Sequence, residues 1–306
     1  MASSYDSRLI TPPTEEEEIY PYRRVWVSIV LESSILFTLT VALFVLTGFI
    51  NTQNIPASLL QLINLVLACV PLLLWLVFSW WRERSVPQPR QNLIAVVIVT
   101  ALAANALGLP VINDIFQVER WLSLESAINR IVGYSFTIRI VQSIIVYLVV
   151  RYTAWSTNFR TRHDGIAYGR AAALGYATVL NLQFVLTQIS EPNITAMNIF
   201  NQTAVLIGTG IILGYGLVET RLNNQPFPLL MVAMVALSSF VTGLAIPLVS
   251  GFTNASLSTI VPISTASPLL GFLFSAGLLI IVGLIFWLLF NNTDREEIHT
   301  PEGFLS

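Results

Sequence analysis

Apolar runs recur along the chain, separated by short polar segments. Eight of them, at 25–50, 57–81, 92–112, 134–151, 168–188, 199–218, 227–249 and 267–290, approach or exceed the roughly 20 mostly apolar residues that span a bilayer. In lipid a helix satisfies its own backbone hydrogen bonds, so such runs read as membrane helices. The pattern predicts an all-α polytopic bundle of about eight transmembrane helices over 25–290. Polar, acidic segments at 1–24 and 291–306 are expected to be cytoplasmic tails. Between the third and fourth runs, Ile115, Val118, Trp121, Leu122 and Ile128 recur at roughly helical spacing with charges between them. That spacing predicts a helix lying in the membrane interface.

Composition agrees with the pattern. Hydrophobic residues make up 55% of the 306 and charged residues only 10%, against about a quarter charged in a soluble domain. Mean hydropathy is +0.72. One cysteine, Cys69, excludes an internal disulfide and a cysteine-rich metal site. All 15 basic residues are arginine, which excludes lysine-nucleophile and Schiff-base chemistry. A net charge of -2 gives no reason to expect a nucleic-acid partner. The first residues are polar and acidic, unlike a secretory signal.

Charge placement predicts orientation. With the N-terminus inside, the inner segments carry most arginines, among them Arg23, Arg24, Arg82, Arg84, Arg160 and Arg162. The outer segments carry only Arg120 and Arg130. The positive-inside rule then places both termini in the cytoplasm. Trp26, Trp80, Trp81, Tyr152 and Trp155 fall near span ends, as interfacial anchors do. Asn193 and Asn254 begin N-x-Ser/Thr triplets on the expected outer side. In a bacterial host such triplets carry no modification signal.

Two charges fall deep inside the expected spans, Glu32 and Arg139. Buried charges are costly and are usually paired. At about 1.5 Å per residue they lie roughly 12 and 18 Å from the same end of the bundle, so a structural pair is expected. Gly165 and Gly169 are four residues apart, as are Gly210 and Gly214, and Gly175 follows the first pair. Such spacing lets helix backbones approach closely within the bundle. His163 and Asp164 stand at a helix start, where Asp164 is expected to cap the helix.

The segment "DGIAYGRAAALGYATVLN" carries Asp164, Gly165, Ile166, Tyr168, Gly169, Leu174, Gly175, Ala177 and Asn181, and "GTGIILGYG" carries Gly210, Gly214 and Tyr215. In these motifs residues 134–245 resemble the PrsW family of intramembrane metalloproteases. The resemblance implies an eight-span bundle in the bacterial inner membrane and a metal site of Glu and His side chains within it. It also implies where those ligands would stand. The family's paired Glu falls at Val141 and Gln142, the following Lys at Ile145, and the Glu before Asn181 at Leu180. The two His fall at Leu206 and near Val235. Val and Leu cannot ligate zinc, which takes His, Cys or carboxylate donors. The chain's only histidines, His163 and His299, lie at the expected cytoplasmic side.

The sequence therefore predicts a degenerate, non-catalytic relative with no cofactor. Its expected partners are the lipid bilayer and other membrane-protein subunits, in a structural or accessory role. An active intramembrane metalloprotease is one alternative. The other is a small-solute or ion transporter, for which Ser33, Ser34, Gln142, Ser143, Asn181 and Gln183 are the candidate polar path.

Overall fold

The computed structural model describes residues 22–49, 55–84, 90–122, 125–155, 159, 162–222, 228–254 and 268–299. Residues 1–21 of the first expected tail and 300–306 of the second lie outside the described residues, whereas 291–299 continue the last helix. Nine helices run in sequence among the described residues: α1 (Tyr22–Phe49), α2 (Ala57–Arg84), α3 (Leu93–Phe116), the short α4 (Val118–Leu122), α5 (127–155), α6 (Arg162–Thr187), α7 (Pro192–Leu222), α8 (Pro228–Asn254) and α9 (Pro268–His299). The protein is a polytopic all-α integral membrane protein.

Seven of the eight expected spans are long and apolar enough to cross a bilayer by composition alone. The exception is α6, which begins with charged residues and carries Arg170, Asn181 and Gln183. Its position explains the difference. Helices α1, α2, α3, α5 and α7 all pack against α6, and almost every side chain from His163 to Ala177 is buried. A helix walled in by other helices needs no lipid-compatible face. The outer helices behave oppositely: Val30 and Leu46 on α1, and Ile280 and Leu284 on α9, are exposed, as lipid-facing residues are.

Hydroxyl side chains within the helices are satisfied locally. Thr40, Thr100, Ser135 and Thr242 each donate to the carbonyl four residues back, so they add little polarity to the apolar interior. Several helices contain wider π-type turns, at Ala104–Gly108 and Val111–Phe116 in α3 and at Ser135–Arg139 in α5. Pro110 lies between the two in α3 and removes one backbone donor from the ladder.

The expected interfacial helix over 113–131 is not one continuous element. Helix α3 runs on to Phe116, Gln117 turns the chain with φ 46°, and α4 occupies only Val118–Leu122. Val118 and Leu122 are buried against the bundle, whereas Ile115, Trp121 and Ile128 are exposed. The apolar residues therefore divide between two faces, which one amphipathic surface helix cannot do.

The glycines act at the α6–α7 crossing. A Cβ on Gly165 would overlap the Gly214 carbonyl, and one on Gly214 would overlap that of Gly165. Gly169 and Gly210 meet in the same reciprocal way. Gly175 lies against the Val97 backbone of α3. All five sit in backbone contacts within the chain.

Candidate functional site: a charge network and an amide-lined chamber

The buried polar groups form two sets at opposite ends of the bundle. One joins α1, α2 and α6. The Arg170 guanidinium pairs with the Glu32 carboxylate, and both side chains are almost fully buried. Ser79 donates to Glu32 Oε1 at 2.6 Å and accepts from Arg170 Nη1 at 3.3 Å. Next to this pair, Arg90 spans Glu83 at 2.9 Å and Asp164 at 2.6 Å. Tyr168 closes the set by donating to the Gln91 carbonyl at 2.6 Å.

This arrangement corrects the expected Glu32–Arg139 pair. Depth along the bundle was similar for the two, but depth does not fix which way a side chain faces. Glu32 faces α2 and α6, where Arg170 is nearer. Asp164 lies in the first turn of α6; its carboxylate accepts from Arg90, at the helix end where negative charge is favourable. His163 is buried, with its ring 5.4 Å from that of Phe290.

Arg139 belongs to the second set. It is 7% exposed, and its Nη1 donates to Gln142 Oε1 at 2.7 Å, one helical turn along α5. Its Nε is buried without a hydrogen-bond partner. A buried donor left without an acceptor costs about 1–3 kcal/mol, and more when charged. The guanidinium borders a chamber of about 540 Å³ walled by Asn113 on α3, Arg139 and Gln142 on α5, Gln183 on α6, and Asn201 and Gln202 on α7. Asn201 Oδ1 and Gln202 Oε1 are also buried without partners. Arg120, exposed and bonded to Gln117, completes the charged part of the lining. The described walls thus hold two cations, many amides and no carboxylate.

Residues 88–223 match the PrsW family of intramembrane metalloproteases. The matched region begins earlier than the resemblance read from the motifs, taking in α3, and stops before α8. It contains Arg139, the α6–α7 glycine crossing and most of the chamber wall. No curated protein and no solved structure matches the chain.

Two of the PrsW-like ligand positions border the chamber. Gln142 and Leu180 line it. Leu206 is fully buried beside Val205, itself a lining residue. Val141 and Val235 are half-buried and pack against the apolar core. A metal ion does not fit this donor set. Gln142 offers one neutral oxygen, already engaged by Arg139, and the guanidinium would repel a second cation. Among the described residues no three His, Cys, Asp or Glu side chains gather into a ligand cluster. The sequence pattern does not single out Arg170, which lies near the start of its expected span, or the amides of α7. Asn198, Asn201 and Gln202 recur at helical spacing in the first turns of α7. That periodic polar stripe was the available signal.

Proposed function

We propose that this protein is a non-catalytic PrsW-like membrane protein, working as a structural or accessory subunit of a larger membrane complex. One observation carries the reading: the chamber bordered by Gln142 and Leu180, two positions where the family's ligands would stand, is lined by amides and Arg139 and holds no carboxylate or histidine among its lining residues. The glycine crossing and the buried charge network support a retained scaffold. In this reading the protein sits in a bacterial inner membrane with both termini in the cytoplasm.

Two measurements test it. Elemental analysis of the purified protein is expected to find zinc well below one per chain, and stoichiometric zinc would overturn the non-catalytic reading. Affinity capture in mild detergent is expected to bring down a defined set of membrane proteins. A clean monomer, recovered repeatedly from native membranes, would overturn the subunit role.

A further inference from the structure

We infer that the chamber is a binding site for a small organic carboxylate that also carries an N–H or O–H donor. The inference rests on the non-catalytic reading of the same site. Three features lead to it. The Nη1 group of Arg139 is fixed on Gln142, and the Nε on the guanidinium's other edge is buried without an acceptor. That edge is the planar donor pair that matches a carboxylate. Asn201 and Gln202, two residues that line the same chamber, each hold a buried side-chain oxygen without a partner, which calls for a donor group in the ligand. The two arginines in the lining, with no acid among the described wall residues, favour a ligand of net negative charge.

Size agrees. About 540 Å³ falls within the roughly 300–1,000 Å³ typical of small-ligand sites. The chamber lies where α3, α6 and α8 end and α7 begins, so a solute reaches it from one face of the membrane. The carboxylate would sit on the Arg139 edge, with its donor group turned to Asn201 and Gln202.

The test uses full-length protein in phosphatidylcholine nanodiscs, titrated calorimetrically with N-acetylglycine, which has one carboxylate and one amide N–H. Saturable binding is expected, with N-acetylglycinamide, the uncharged analogue, at least roughly tenfold weaker. Arg139→Gln should weaken N-acetylglycine by roughly 10- to 100-fold, and Arg139→Lys should recover only part of the loss. If Arg139→Gln fails to fold, Asn201→Leu carries the test, because it removes one acceptor and leaves the guanidinium intact. It should weaken binding several-fold. N-acetyl-tetraglycine separates the two sources of a carboxylate: tighter binding assigns a peptide end, and weaker binding a free solute. No saturable binding, equal binding of the amide, or unchanged affinity in the variants overturns the inference. Zinc content measured on the same sample separates this failure from failure of the non-catalytic reading, since a zinc-free protein that binds no carboxylate sinks only the ligand.

Discussion

Replacing Arg170 with Leu tests the buried charge network. Glu32 would keep its hydrogen bond from Ser79 but lose its only described cation. Two unit charges about 4 Å apart attract by about 4 kcal/mol at an effective dielectric constant near 20. Removing one partner of a buried pair typically costs about 3–5 kcal/mol, because the other charge is left uncompensated. Arg170→Leu is therefore expected to destabilise the folded protein by about 3 kcal/mol or more. The double variant Glu32→Leu/Arg170→Leu removes both charges, and apolar replacement of a whole buried pair is often neutral or stabilising. It should regain most of the loss. The assay is equilibrium unfolding in detergent for the wild type, both single variants and the double variant, combined as a double-mutant cycle. A wild-type midpoint for Arg170→Leu, or a double variant less stable than Arg170→Leu, would refute the reasoning. Arg139→Leu in the same series should not couple to Glu32, since Arg139 bonds to Gln142 instead.

Three further outcomes are expected. Gly169→Ala places a methyl group on the Gly210 carbonyl and should cost about 1–3 kcal/mol of stability, read in the same unfolding assay. Arg90→Met leaves Glu83 and Asp164 without their shared cation and should lower the melting temperature by several degrees, with Asp164→Asn in the same background recovering part of it. Gln142→Glu puts a carboxylate next to Arg139; it should raise the melting temperature by forming an ion pair, yet bring no zinc into the purified protein, because Leu180 and Leu206 still offer no donor.

Much of the fold was legible from the apolar runs, because lipid demands about 20 apolar residues wherever a helix faces it. The demand lapses for α6, which lipid does not reach, and there composition no longer distinguishes a span. The same limit explains the charges. Hydropathy sets how deep Glu32 and Arg139 lie but carries no azimuth, and the partner of Glu32 stands 138 residues further along the chain on a helix whose facing is set by packing. The Gly165–Gly169 and Gly210–Gly214 spacings were legible because close backbone approach admits few residue types. The chamber was half legible. Gln142 and Leu180 could be placed by family likeness, while the amides of α7 gain meaning only once α5, α6 and α7 are set side by side.

The glycine crossing and the chamber occupy opposite halves of the same two helices. Residues 165, 169, 210 and 214 lock α6 to α7 at one end, while Leu180, Gln183, Asn201 and Gln202 surround open space at the other. A substitution in the lock disturbs the whole assembly, whereas one in the chamber changes what the space accepts and leaves the lock untouched. Substitutions can thus change what such a helix pair accepts one residue at a time while the lock between the helices stays intact.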